Sequence, residues 1–290
     1  MNSKRMIMGT RGSQLALAQS RQVARRITRL TGTPVELEVI STRGDRIVDR
    51  PLAAIGGKGL FTAELEAALR SGDIHFAVHS LKDLPTEDPD GLILGAIPKR
   101  ADPRDAFVGP HLGLLPHGAV VGTGSLRRGC QIKALRPDIE LRGIRGNVDT
   151  RLAKLDRGDY DAIILAMAGL DRLSISRADV NPFGLKQMIP APGQGALGVQ
   201  CSATNLEVQA ILKSIDDDDT RRRVGAERAF LERLGGGCNV AAGCYARIEQ
   251  GRLHVYAMAH LDDRPLQRAE AWGDDGVAIG RQLADTLTAG

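Results

Sequence analysis

The sequence predicts an α/β protein made of two related lobes, the second inserted into the first, with a small α+β unit at the C-terminal end. Three observations carry that reading. Strand–turn–helix segments repeat, two Pro/Gly-rich breaks are placed so that the chain leaves one lobe and later returns to it, and the last stretch changes from helical to alternating patterning. With 290 residues the chain exceeds one average domain. A composition that is 42% hydrophobic and 26% charged is globular, and with only 3% aromatic residues its core must be filled by aliphatic side chains.

The repeat begins at residues 6–8, an apolar start that leads into Gly9-Thr10-Arg11-Gly12-Ser13 and a helix-like stretch to Leu30. Residues 119–121 lead in the same way into Gly122-Thr123-Gly124-Ser125 and a second such stretch. Arg43-Gly44-Asp45 then matches Arg145-Gly146-Asn147, and 69–78 matches 155–164, in each case a helix ending at Gly before a buried strand. The breaks lie at 97–103, with two prolines, and at 190–195, Pro-Ala-Pro-Gly-Gln-Gly. The expected domains are therefore 1–96 with 196–215, an inserted 97–195, and 216–290, with the strand-like 196–201 rejoining the first sheet. In the last part the acidic run 216–219 caps a helix over 220–234, and glycines 235–237 end it. Alternating segments near 245–248, 253–259 and 266–271 follow, with turns at Gln250-Gly251 and Asp262-Asp263, and an amphipathic helix over 277–287 closes the chain.

A net charge of +4 with both signs interspersed, and so few aromatics, argues against a nucleic-acid surface. The longest apolar run, 162–170, is far short of the roughly 20 residues that span a bilayer. With no apolar leader in MNSKRMIMG and four cysteines without a CxxC pair, a cytoplasmic, reducing location is expected, with no membrane contact. His75 and His79 are four apart on a strand without a third ligand, so they read as structural and no metal is expected.

Arginine outnumbers lysine 31 to 8. Compositional bias accounts for many of these, but Arg also meets carboxylates through a planar fork that Lys lacks. Arg11 sits on the first Gly-Thr turn, and Arg127 and Arg128 on the second, where cations oppose the helix dipole unless an anion is present. Ser13 and Ser125 are either N-caps or hydroxyl donors to such an anion. Arg145 and Arg151 flank a further turn, and Lys58 in Gly-Gly-Lys-Gly is either a solvated surface lysine or a ligand contact. His79-Ser80-Leu81-Lys82-Asp83 leaves the end of an apolar strand, where α/β folds place function. Asp83 either pairs with Lys82 or meets a developing cation. Cys238, after three glycines, is a nucleophile candidate or a buried loop thiol, whereas Cys130, Cys201 and Cys244 read as packing residues.

The stretches GTRGSQLAL, TRGD, GGKGLF, HSLKDLP, DPRDAF, GTGSLRR, RGNVDTRL, YDAIILAMAGLDRL, PAPGQGALGVQC, AERAFLERL and GGGCNV, in this order across nearly all of the chain, resemble the porphobilinogen deaminase (hydroxymethylbilane synthase) family. The resemblance implies two periplasmic-binding-protein-like α/β domains and a third, small domain. It implies a monomeric, cytoplasmic transferase of porphyrin biosynthesis that condenses four porphobilinogen units head to tail, with loss of ammonia, to hydroxymethylbilane. It implies a dipyrromethane cofactor joined by a thioether to Cys238, and Asp83 as the catalytic carboxylate. Arg11, Ser13, Lys58, Ser80, Lys82, Thr123, Ser125, Arg127, Arg128, Arg145, Gly146, Arg151, Arg172 and Gln194 fall at binding positions. Gly124 departs from the family's usual second Ser. A non-catalytic anion-binding protein of the periplasmic type would leave Cys238 and the third domain unexplained, and for a cysteine hydrolase no motif supplies a histidine.

Overall fold

A computed structural model of the chain describes residues 5–46, 62–236, 240–261 and 264–289. The chain opens with β1 (Met6–Thr10), buried along most of its length. Ser13 then caps α1 (Gln14–Thr31), which Gly32 stops at a φ of 72°. β2 (Val35–Val39), a single turn α2 (Arg43–Arg46) and α3 (Ala63–Ser71) follow, before β3 (Phe76–Ser80), a 3-10 turn (Leu81–Asp83) and β4 (Leu92–Ala96). Next come β5 (Asp105–Val108), β6 (Val120–Gly122), α4 (Leu126–Leu135), β7 (Glu140–Arg142) and α5 (Val148–Asp156). β8 (Ala162–Ala166), α6 (Met167–Arg172) and β9 (Val180–Pro182) lead to β10 (Leu197–Ser202) and α7 (Leu206–Lys213). The chain ends with α8 (Asp218–Arg233), β11 (Ala241–Glu249), β12 (Arg252–His260), β13 (Gln267–Gly273) and α9 (Gly276–Ala289).

Two five-stranded sheets share one topology, β2-β1-β3-β10-β4 and β7-β6-β8-β5-β9. In each the first three strands are parallel and the fourth runs against them. The repeat seen in the sequence is this common order. The reversed strand is the one that begins on arrival: β5 starts just after the first break, and β10 just after the second. The chain accordingly divides into two compact units, Met1–Ala101 with Ala196–Arg221, and Asp102–Gly195 with Arg222–Gly290.

Aliphatic side chains and a few phenylalanines fill the cores, as the composition requires. In the first unit Met8, Ile27, Phe76, Val199 and Leu212 close the space between sheet and helices. In the second, Phe107, Val121, Ile132 and Ile164 cover one face of the sheet. The antiparallel sheet β11-β12-β13 lies on α8 and α9 through Phe230, Val255 and Leu283. β11 also rests on the second break: Cys244 N donates to Pro190 O at 2.9 Å, and a Cβ on Gly243 would meet Ile189 O at 2.7 Å, so that approach needs glycine.

Local signals place the joints. Gln250 and Gly251 have φ of 52° and 80°, the left-handed pair that a two-residue hairpin favours. The turn expected at Asp262-Asp263 lies outside the described residues. The acidic run divides its work. Asp217 Oδ1 accepts from Thr220 N at 2.8 Å as a helix cap, while Asp216 Oδ1 accepts from Ile97 N at 2.7 Å and pairs with Arg221 at 2.8 Å. α8 therefore starts at Asp218, two residues before the expected position. Among the described residues no helix is long and apolar enough to cross a membrane.

Candidate functional site

In the first unit β1 and β3 are parallel neighbours, so their carboxyl ends share one sheet edge. Arg11 and Ser13 leave the end of β1, and Ser80, Lys82 and Asp83 leave the end of β3. Gln19 on α1 ties the two segments, donating from Nε2 to Ser80 Oγ at 2.9 Å. Ser13 Oγ accepts from Ala16 N at 3.3 Å, so the serine is an N-cap. The cap uses the oxygen as acceptor and leaves the hydroxyl hydrogen for a ligand.

Asp83 is exposed and forms no salt bridge among the described residues, so a structural pairing with Lys82 does not account for it. His79 is buried; desolvation first, and the nearby Arg11 charge second, lower its pKa to about 4, and its Nε2 has no hydrogen-bond partner. It is a neutral imidazole at neutral pH. His75 Nδ1 accepts from Ile7 N at 2.9 Å, a structural bond. No cluster of metal-ligating side chains occurs among the described residues.

In the second unit the carboxyl ends of β6, β7 and β8 likewise share one edge. Thr123 Oγ1 accepts from Ser125 N at 3.2 Å, and Ser125 Oγ accepts from Arg128 N at 3.4 Å as the cap of α4. The turn after β7 is held by its own helix. Arg151 Nε donates to Gly146 O at 2.8 Å and Lys154 Nζ to Arg145 O at 3.1 Å. Gly146 has a φ of 112°, and a Cβ there would come 2.7 Å from the Thr150 side chain.

The arginines separate into two groups. The sequence suggests that Arg127 and Arg128 await an external anion. Both are buried against an internal anion, with Arg127 Nη1 and Arg128 Nη2 each 2.7 Å from the Asp105 carboxylate. They also donate to Ile189 O and Ile164 O. The two cations hold the Asp105 carboxyl far below the usual carboxylate range despite its burial. Gln194 is buried beside them, its Nε2 donating to Asp105 Oδ1 at 3.0 Å and to Pro103 O at 2.8 Å.

Arg145, Arg151 and Arg172 form the second group. None has a carboxylate partner within salt-bridge distance among the described residues. Burial first, then the charges of Arg128 and Arg145, lower the Arg151 pKa to about 10. Burial does the same to Arg172, whose Nη2 donates to Gly195 O at 2.7 Å while its buried Nε has no partner. Lys58 and Cys238 lie outside the described residues. Cys201 and Cys244 are buried as packing residues; Cys130 is half-buried, and desolvation raises its thiol pKa.

The family model described as "porphobilinogen deaminase, dipyromethane cofactor binding domain" matches residues 6–210, and that of the "porphobilinogen deaminase, C-terminal domain" matches 221–289. The porphobilinogen deaminase of Roseiflexus sp. (strain RS-1) is 50% identical over 290 residues, covering 97% of this chain and 95% of its own length. That of Brevibacillus brevis is 47% identical over 291 residues, covering 97% and 93%. The chain belongs to the porphobilinogen deaminase family.

A dipyrromethane of this family presents carboxylates, and the donor set suits it. Half-buried guanidiniums without counter-ions are stabilised by carboxylates more than by any neutral group. The fit is clearest at Arg151 and Arg172, where burial without a counter-ion disfavours the charge and, in Arg172, leaves Nε without a hydrogen-bond partner. Sequence reasoning missed Asp105, although it lies in a recognised motif of the porphobilinogen deaminase family, DPRDAF. The signal was indirect: two adjacent arginines at a helix start need an acid, and the acid comes from a strand 22 residues earlier.

Proposed function

We propose that this chain condenses four porphobilinogen molecules head to tail, releasing ammonia at each step, and frees the linear hydroxymethylbilane with water. The observation that carries the reading is the surplus of half-buried arginine charge in the second unit. Arg128, Arg145 and Arg151 are close enough for the first two to disfavour the charge of the third. A growing pyrrole chain bears an acetate and a propionate on each ring, and such ligands would neutralise that surplus. The family match supplies the reaction class.

In this reading Arg11, Ser13, Lys58, Ser80, Lys82, Thr123, Ser125, Arg127, Arg128, Arg145, Gly146, Arg151, Arg172 and Gln194 bind carboxylates directly or shape the turns that do. Cys238 holds the dipyrromethane through a thioether, and that group supplies the primer to which the first substrate is joined. Asp83 stabilises the positive charge that develops on the substrate as ammonia leaves, and assists proton transfer at pyrrole nitrogen. The reading takes the enzyme as a cytoplasmic monomer of three domains, 1–96 with 196–215, 97–195 and 216–290.

Replacing Arg151 by Leu tests it. Because the folded chain disfavours this charge, Arg151→Leu is expected to keep wild-type thermal stability while kcat/KM for porphobilinogen falls at least about tenfold, the loss of one charged hydrogen bond. Arg281→Leu, at an exposed pair with Glu232 3.7 Å away, is the control and should keep full activity. Equal kcat/KM in the two variants would count against a polycarboxylate site.

A further inference from the structure

Asp105, the first residue of β5, is fully buried and carries four donors. Arg127 Nη1 reaches Oδ2 at 2.7 Å, while Arg128 Nε at 2.9 Å, Arg128 Nη2 at 2.7 Å and Gln194 Nε2 at 3.0 Å reach Oδ1. A carboxylate offers about four acceptor sites, and this one receives four donors, three of them at Oδ1. Each guanidinium has a second anchor: Arg127 Nη1 also donates to Ile189 O, and Arg128 donates to Ile164 O from Nη1, the nitrogen that does not face Asp105. Neither can swing away without breaking bonds to two acceptors. The two cations and one anion leave a net charge of +1 beside Arg151, so Asp105 fixes the pair without cancelling it.

We propose that Asp105 is a positioning residue of the carboxylate site: it holds Arg127 and Arg128 so that their remaining N–H groups meet a ligand carboxylate without reorganisation. The proposal rests on the polycarboxylate reading above. Unanchored arginines would lose rotamer freedom on each binding event, and prior ordering removes that cost. Gln194 extends the anchorage. Its Nε2 donates both to the Asp105 carboxylate and to Pro103 O, so Gln194 of the second break is bonded to two residues at the first.

The sign of one substitution separates positioning from simple electrostatics. Asp105→Asn removes a negative charge from a cationic site, which by Coulomb's law alone tightens anion binding. Positioning requires the opposite. The full-length Cys238→Ser chain, which has no thiol for attachment, is titrated calorimetrically with benzene-1,3,5-tricarboxylate at fixed ionic strength, with and without Asp105→Asn. Circular dichroism verifies that each protein is folded at the working temperature. Asp105→Asn should weaken the tricarboxylate at least about tenfold, the scale of a lost charge-assisted contact. Equal or tighter binding in the folded variant overturns the proposal and leaves the polycarboxylate reading standing. No tricarboxylate binding by the Cys238→Ser parent sinks that reading, and the proposal with it. If Asp105→Asn does not fold, Asp105→Glu keeps the charge and shifts it by one methylene. Weaker binding is again expected, and wild-type affinity overturns the proposal.

Discussion

Asp83→Asn is expected to fold, to retain its dipyrromethane, and to turn over at least roughly 100-fold more slowly than the wild type. The position of Asp83 motivates this. It is exposed on the 3-10 turn that follows β3 and forms no salt bridge among the described residues. Losing the carboxylate therefore removes little that holds the fold. A negative side chain would repel the carboxylates of the substrate, so it is also a poor binding group. What remains is stabilisation of positive charge that appears only as ammonia leaves. An interaction made in the transition state lowers kcat when it is lost and leaves binding largely intact. Electrostatic groups of this kind are worth about 2.7–4 kcal/mol. Turnover and melting temperature measured on one preparation decide the matter. A lowered melting temperature with near-normal turnover in the folded fraction would make Asp83 structural.

Arg128→Leu is expected to act mainly on stability. Its guanidinium makes two contacts with Asp105 and one with Ile164 O, all buried. Removing one partner of a buried ion pair leaves charge and polar groups uncompensated, at a cost of about 3–5 kcal/mol. The urea midpoint followed by circular dichroism should fall clearly for Arg128→Leu and hardly at all for Arg151→Leu, which has no acidic partner to orphan. An unchanged midpoint for Arg128→Leu, with dipyrromethane lost, would mean that Arg128 is held for its ligand alone.

The contrast between these arginines marks how far the sequence could be read. The two lobes were legible because the Gly-Thr turns and the helix-ending glycines recur in the same order, and those turns became the matching carboxyl edges of β1 and β6. The return of the chain was legible in the proline clusters and the apolar stretch that became β10. The reversed direction of β5 and β10 was not, because an apolar run carries no sign of the direction in which it pairs. The early start of β11 was hidden by its small residues, Ala241, Ala242 and Gly243, which show no alternation although they pack closely.

At the site, local chemistry was legible and long-range pairing was not. Ser13 and Ser125 are caps as the residue types suggest. Arg127, Arg128 and Arg151 look alike in sequence, as cations near helix starts. Only the fold brings Asp105 to the first two and leaves the third without an acid.

The most direct test of the account is the intact mass of the purified, active chain. The account predicts a protein heavier than the bare polypeptide by one dipyrromethane, and a Cys238→Ala protein that has the bare mass and no activity. Active protein of bare mass, or a Cys238→Ala protein that still carries the adduct, would contradict it.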